Sequence, residues 1–329
     1  MDIFVAEAAR RLGDDDVFGK VDALIDWGPI SGILKAGMGR SGLGPQGYGA
    51  LTLFKCLLLG GWHGLSDPKL ERALKVRLDF MLFCGLDLHG PTPDYSTLCR
   101  FRNGLVGASV YDALLEEICR QLEAHGLKMR EAEAAIIDAT LIESAARPRQ
   151  FIEHPPLDRE EDEEAPDTTV TYSADCDARW VKKGRKSTLG DKGFARCDES
   201  VYIDKVHVPP ANDAESPQFE TMIDGAKAQR ILADKAYASK ANRERLKGKH
   251  RDGIMRKAAR NRPLRKSEKR FNKIITRTRY RVEQSFGTMK RLFGLHRARY
   301  FGIDKTHAQM SMAAIAANLT KATNKIKIA

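Results

Sequence analysis

The sequence lacks several patterns that would assign common classes of protein. Its six cysteines include no C-x-x-C pair, and no histidine pairs with a cysteine or a second histidine at the spacing of zinc ligands. A structural zinc site is therefore not expected, and the cysteines are predicted to be buried, reduced thiols. There is no G-x-x-x-x-G-K-[ST] loop, so nothing in the sequence indicates nucleotide hydrolysis.

Long apolar runs are also missing. The longest, at residues 50–61, is interrupted by Lys55 and is shorter than the roughly 20 residues that a membrane helix needs. The amino terminus shows no basic segment leading into an apolar stretch, which a secretion signal would require. These two absences exclude a membrane protein and predict a cytoplasmic one.

The sequence is rich in positive charge, and that charge is concentrated. The 329 residues include 55 Lys and Arg against 44 Asp and Glu, a formal net charge of +11. Residues 240–299 hold 22 basic and 4 acidic residues, so this segment carries +18 and the rest of the chain −7. Such a segment is typical of a surface that contacts the phosphates of nucleic acid, while a solvated basic helix face is the alternative.

Two regions of different character follow one another along the chain. Residues 1–128 are predicted to form an all-α amino-terminal domain. Residues 129–329 contain short apolar strands as well as helices, which predicts an α/β domain with a mixed sheet. Within it, residues 150–180 include the acidic run 158–167, which is predicted to be a flexible insertion.

Two acids stand at the ends of predicted strands in the second region. Residues 134–138 form a short apolar run that ends in Asp138, and the run 228–233 is followed by Asp234. Two further strands, 193–197 and 200–208, are predicted to form a hairpin. Because sites in α/β sheets usually open at the carboxyl ends of strands, Asp138 and Asp234 are candidate site residues.

Glu283 is the third candidate, because it is the only acidic residue between Glu268 and Asp304. It lies on a basic helix predicted over residues 265–292. By itself, an isolated carboxylate among arginines is equally well read as a salt-bridge partner. Arg279 stands four residues before Glu283, and Phe286 and Lys290 stand three and seven residues after it, which predicts that all four share one helix face.

The three acids together suggest a chemistry that none suggests alone. Asp138, Asp234 and Glu283 could hold two Mg²⁺ ions, because hard cations prefer carboxylate oxygens. Two such ions can activate a nucleophile and stabilise the leaving oxygen in phosphodiester cleavage. Arg279 and Lys290 would then lie on either side of Glu283, ready to contact DNA phosphates.

These motifs resemble a known family, the DDE transposases of the IS4/IS5 group, and most closely its IS5 family. The matching segments are IIDATLIE around Asp138, ILADKAY around Asp234, and R-x3-E-x6-K from Arg279 through Glu283 to Lys290.

The resemblance extends into the amino-terminal half. Residues 44–104, with PDYSTLCRFRNGL, are similar to the helical amino-terminal domain of IS5-type transposases. One departure is Thr276, where the family has a tyrosine three residues before the arginine. Another is the sequence Gly190-Asp191-Lys192, where relatives often have an aromatic residue before the lysine.

The resemblance implies an RNase H-like catalytic core and metal-assisted phosphoryl transfer on DNA. Asp138 would bridge both Mg²⁺ ions, for which Mn²⁺ could substitute, while Asp234 and Glu283 would each complete one site. Water would cleave the transposon end to free a 3′-OH, which would then attack target DNA. The resemblance thus predicts an insertion-sequence transposase that binds double-stranded DNA and is associated with the prokaryotic nucleoid.

DNA contacts and assembly are further expectations of the resemblance. Arg279 and Lys290 would position the cleaved end. Arg100 and Arg102, which are predicted to be exposed on a short helix, would help to recognise the terminal inverted repeats; the alternative is that their helix only supports the core. A homo-oligomer is expected, because two transposon ends must be joined. Two other functions stay open from the sequence: a non-catalytic or domesticated DNA-binding protein, and an RNase H-like nuclease without strand transfer.

Overall fold

The computed structural model describes residues 16–38, 47–129, 131–147, 151–153, 169–171 and 174–326, together with positions 7 and 10. The predicted acidic run 158–167 lies outside the described residues. No helix in the described part of the chain combines the length and apolarity needed to cross a membrane.

Helices occupy most of the described chain before residue 125, as predicted. Their starts follow from local chemistry: Asp16 accepts hydrogen bonds from the backbone N–H groups of Phe18 and Gly19, and Asp94 accepts one from Thr97. The helices are α1 (Val17–Leu24), α2 (Trp27–Met38), α3 (Ala50–Trp62), α4 (Asp67–Val76), α5 (Leu78–Cys84), α6 (Tyr95–Gly107) and α7 (Tyr111–Ala124).

A mixed sheet and further helices make up the rest of the described chain. The strands are β1 (Ala134–Glu143), β2 (Phe151–Glu153), β3 (Thr169–Thr171), β4 (Arg179–Lys183), β5 (Lys186–Asp198), β6 (Ile203–His207), β7 (Arg230–Ala233) and β8 (Arg251–Ile254). The helices are α8 (Glu215–Ile223), α9 (Lys240–Leu246), α10 (Lys266–Leu292) and α11 (Ile303–Thr323), and a short 3₁₀ turn, Lys235–Tyr237, follows β7.

The main sheet has the order β4-β5-β1-β7-β8, with β6 paired to β5. β1 is antiparallel to β5, whereas β7 is parallel to β1 and β8 is parallel to β7. The predicted hairpin is confirmed as β5 and β6. β2 and β3 form a separate two-stranded sheet.

The sequence placed the end of the first strand wrongly. β1 continues five residues past Asp138 to Glu143, because its antiparallel ladder with β5 runs on as far as the pair of Glu143 and Gly190. The parallel ladder with β7 does end here, since its last pair is Ile137 with Ala233. Asp138 and Asp234 are therefore the next residues along two neighbouring parallel strands.

One hydrophobic core joins the amino-terminal helices to the sheet. It includes buried residues of α3 and α7, of β1, β5 and β6, and of α11, which is buried along most of its length. Asn318 of α11 donates to the carbonyl oxygen of Ile203 at 2.7 Å and accepts from its N–H at 2.9 Å. The domain boundary between residues 128 and 129 stays a prediction, and the core crosses it.

The cysteines follow the prediction in part. All six are free, and four of them are buried. Cys176 is exposed and Cys99 is half-buried, so the expectation of burial is wrong for these two.

Candidate active site

Arg279 joins two of the three predicted acids. Its Nη1 lies 2.5 Å from Oδ2 of Asp138, and its Nη2 lies 3.0 Å from Oε1 of Glu283. Arg279 and Glu283 stand one turn apart on α10, and Asp138 lies on β1. The guanidinium therefore bridges two carboxylates that are 145 positions apart in the sequence and come together only in the fold.

Asp138 is the most buried of the three acids and has the most perturbed charge. Its side chain is 13% exposed, whereas that of Glu283 is 57% exposed. The pKa of Asp138 is raised to about 6, chiefly by burial; the charges of Glu215 and Glu283 contribute to the rise, while Arg279 opposes it. At neutral pH, most of the Asp138 carboxyl is ionised and available to bind a cation.

Asp234 lies beside Asp138 because of the strand register. Each residue follows the last paired position of the β1–β7 ladder, and neighbouring strands run about 4.8 Å apart. The Asp234 carboxylate accepts a hydrogen bond from the N–H of Lys235 at 2.5 Å, which begins the 3₁₀ turn. Asp138 and Asp234 thus lie at the same end of two parallel strands.

The position of α10 is set by its apolar side. Val282, Phe286 and Met289 are buried, and they pack in the core that includes β1. The helix begins at Lys266 and ends at Leu292, close to the predicted 265–292. Phe286 lies in the core, whereas Glu283, three residues earlier on the same helix, is exposed. One side of the helix therefore packs in the core, and the other carries the candidate site residue.

Lys290 is held by the sheet. Its Nζ donates to the carbonyl oxygen of Leu141 at 2.8 Å, three residues past Asp138 on β1. Burial, together with the charge of Lys183, lowers the pKa of Lys290. In this structure Lys290 ties α10 to β1, and its contact with DNA stays a prediction.

The structure separates the two arginines that were predicted to recognise terminal repeats. Arg100 is exposed on α6. The expectation that Arg102 is exposed is wrong: its guanidinium forms a bidentate pair with Asp67, at 2.8 and 2.9 Å, and lies 3.9 Å from the ring centroid of Tyr300. Arg102 is buried because it connects the amino-terminal helices to the segment before α11.

The carboxylates of Asp138, Asp234 and Glu283 are suitable ligands for a divalent cation, although in this structure they are not arranged around a common point. In the described part of the chain, no group of three or more His, Cys, Asp or Glu side chains is placed to hold a metal ion. The guanidinium of Arg279 already lies between Asp138 and Glu283, which shows that this position attracts a cation. Carboxylate oxygens are the donors that hard divalent cations select.

Two residues near the acids were missed by the sequence reasoning. Glu215, at the start of α8, contributes more than Glu283 does to the raised pKa of Asp138. Tyr237 is fully buried, and burial raises its pKa, with the charges of Glu215, Asp138 and Asp234 adding to the rise. Tyr237 belongs to the ILADKAY segment and could have been noticed there, whereas Glu215 lies in a polar stretch that carries no such signal.

A basic groove lies next to the strand ends. This cavity of about 490 Å³ is formed by residues 238–244 and by residues 256–268. Two of its arginines, Arg243 and Arg256, are paired with Asp252. Lys240 and Lys257 also line the groove; both are exposed, and neither has an ion-pair partner among the described residues.

Comparison with known proteins gives the family. Residues 130–319 match the family described as Transposase DDE domain, and residues 6–104 match a Transposase domain, DUF772. The chain belongs to the DDE transposases. It is 44% identical over 231 residues to the transposase for insertion sequence element IS1106 of Neisseria meningitidis serogroup B, covering 69% of this chain and 78% of that protein.

A solved structure also resembles the chain. It is the cryo-EM structure of the piggyBac transposase synaptic complex with hairpin DNA, with a TM-score of 0.47 and 12% sequence identity. The similarity covers 94% of this chain and 74% of that chain.

Membership of the family confirms several predictions. The protein is a DDE transposase of an insertion sequence, and its mixed sheet after a helical amino-terminal region is the predicted RNase H-like fold class. Dependence on a divalent metal is general to DDE transposases. The residues that hold the metal, and those that contact DNA, stay predictions.

Proposed function

We propose that this DDE transposase binds the terminal inverted repeats of its insertion sequence, cleaves the DNA there and joins the freed end to a target. Asp138, Asp234 and Glu283 would hold two Mg²⁺ ions. The observation that supports this most strongly is the guanidinium of Arg279 bonded to both Asp138 and Glu283 beside the strand end that carries Asp234.

Each residue of the site has a separate task in this proposal. Metal ions bound by these residues would supply charge stabilisation and an activated oxygen nucleophile for in-line displacement at phosphorus. Asp138, on the central strand β1, would fix the position of the metal ions. Glu283, which is more exposed on α10, would bind them from the side that faces the DNA. Arg279 is placed to move from its carboxylates to a DNA phosphate and to stabilise the charge that develops there.

The proposed partners are the transposon ends, the target DNA and a second copy of the chain. The charge of +18 on residues 240–299 supports DNA binding, since every phosphate that is neutralised releases counterions. Lys240 and Lys257 lie in a groove whose wall begins four residues after Asp234, so the groove could bind the phosphate backbone of the DNA close to the acids. A homo-oligomer follows from the need to hold two ends, and such a protein would act at the nucleoid in the cytoplasm.

Three conservative variants test the metal ligands. Asp138→Asn, Asp234→Asn and Glu283→Gln each remove a charge and keep the shape of the side chain. We expect each to lower Mg²⁺-dependent cleavage of a transposon-end duplex at least a thousandfold, while binding of the same duplex changes less than threefold. Cleavage is measured on labelled DNA, and binding by fluorescence anisotropy.

Strand transfer is tested separately. Pre-cleaved transposon ends, a plasmid target and Mg²⁺ should give joined products with the wild-type protein. Nicking without joining would identify an RNase H-like nuclease, and binding without either reaction would identify a non-catalytic DNA-binding protein. Cleavage retained by one of the three variants would remove that residue from the site.

A further inference from the structure

We propose that Glu215 is a fourth carboxylate of the metal centre. The inference rests on the function proposed above and adds a residue to its site. Its ligand is a divalent cation, bound together with Asp138, Asp234 and Glu283.

The start of α8 is fixed beside the strand end that carries Asp234. Asn242 is buried, and its Nδ2 donates to the carbonyl oxygen of Ser216 at 2.9 Å and to that of Tyr237 at 3.0 Å. These two bonds tie the first turn of α8 to the 3₁₀ turn that follows Asp234. Phe219, one turn further along α8, packs against the ring of Tyr237 with 5.8 Å between the ring centroids. Glu215 is therefore held close to the predicted acids.

Tyr237 supplies an independent sign that something is bound here. Its side chain is fully buried, and its hydroxyl has no hydrogen-bond partner among the described residues. A buried hydroxyl without a partner is unfavourable, because it has lost the hydrogen bonds that it would make to water. The charges of Glu215, Asp138 and Asp234 all act on this hydroxyl. The Tyr237 hydroxyl could donate a hydrogen bond to a carboxylate oxygen that moves close to it when the acids bind a cation.

The negative charge of Glu215 is not paired with a basic side chain among the described residues. Glu215 is half-buried, and within the described part of the chain it has no ion-pair partner. Arg279 pairs with Asp138 and Glu283, so it does not balance the carboxylates of Asp234 and Glu215. A divalent cation would balance them.

The test measures metal binding by the full-length protein, without DNA and without turnover. Binding of Mn²⁺ is followed by electron paramagnetic resonance of the free ion. Groups that only hydrogen-bond to metal ligands already contribute about 10–100-fold in affinity, so loss of a direct ligand in Glu215→Gln is expected to weaken Mn²⁺ binding at least tenfold. Glu215→Asp, which keeps the charge, should bind more tightly than Glu215→Gln.

Glu220→Gln is the matched control. Glu220 is exposed on the same helix and pairs with Arg245 at 2.7 Å, so its replacement should leave Mn²⁺ affinity unchanged. Thermal unfolding without metal gives a second reading. Removal of a negative charge beside Asp138 should keep or raise the Tm of Glu215→Gln, whereas a structural role for Glu215 would lower it.

Asp138→Asn separates failure of the inference from failure of the proposed function. If Asp138→Asn loses Mn²⁺ binding while Glu215→Gln binds like the wild type, Glu215 is not a ligand and the three-acid centre stands. If Asp138→Asn also binds like the wild type, the proposed metal centre itself is wrong. A lowered metal-free Tm with unchanged affinity in Glu215→Gln would assign Glu215 to the structure of α8.

Discussion

At the scale of single residues, the neighbours of a side chain decide its role. Arg100 and Arg102 stand two positions apart on the same helix, yet one is exposed and the other is buried against Asp67 and Tyr300. The sequence could not distinguish them, because both partners of Arg102 come from outside α6. Tyr300 also donates to Asp67 at 3.3 Å, so Asp67 is the centre of a small polar network between the two halves of the chain.

Removing Arg102 should therefore lower stability and affect DNA binding only indirectly. Arg102→Ala leaves the carboxylate of Asp67, whose side chain is 16% exposed, without its cation, and a broken buried pair costs up to about 3–5 kcal/mol. We expect a Tm lowered by several degrees in calorimetry. Arg100→Ala, on the same helix, should change stability by less than about 0.5 kcal/mol.

The double variant Arg102→Met/Asp67→Leu checks the cause. Replacing both charges with apolar side chains of similar size removes the unpaired carboxylate, so much of the lost stability should return. A Tm as low as that of Arg102→Ala would mean that packing on Tyr300 dominates.

At the scale of secondary structure elements, α10 and the segment before it provide two different kinds of surface. The buried side of α10 packs on the sheet and fixes Arg279 and Glu283 over Asp138. The segment between β8 and α10 contributes Lys257 to the basic groove, and α9 contributes Lys240 at its first position. Since neither lysine has an acidic partner among the described residues, both charges are available to phosphate.

The groove predicts a change in the salt dependence of DNA binding. Each lost phosphate contact lowers the slope of log affinity against log salt by about 0.9, so the double variant Lys240→Ala/Lys257→Ala should lower it by about 2. The measurement is fluorescence anisotropy with a transposon-end duplex, using Asp138→Asn protein to prevent cleavage.

Lys227→Ala is the control for the groove. Lys227 is exposed and precedes the amino end of β7, at the opposite end of the strand from Asp234. Its removal should leave the slope unchanged. An equal loss of slope in Lys227→Ala would show that DNA binding depends on overall charge and not on the groove.

At the scale of the whole molecule, α11 makes the two halves of the chain depend on each other. It packs against α3 and α7 on one side and against β5 and β6 on the other, and its small apolar residues are almost all buried. Arg299 adds a polar contact, donating to the carbonyl oxygen of Leu65 at 2.9 Å. The catalytic sheet therefore relies on the amino-terminal helices to cover its last helix.

A fragment of residues 129–329 should consequently not fold by itself. Without α3 and α7, the apolar surface of α11 would face water, at a cost of about 25 cal/mol per Å². We expect the fragment to aggregate or to lack a cooperative thermal transition by circular dichroism, in contrast to the full chain. A soluble fragment with a sharp transition would instead support an independent domain that begins at residue 129.

The sequence by itself determined the class of the fold and indicated the candidate acids of the site. Apolar runs followed by an acid indicated Asp138 and Asp234. The spacing of Arg279 and Glu283 indicated that they share a helix face, because the repeat of a helix can be counted along the chain. The tertiary structure alone decided that Arg279 bridges two acids, that Arg102 is buried, and that Glu215 and Tyr237 adjoin the site. Those contacts join residues far apart in the chain, and their energies depend on burial and on partners that no local pattern records.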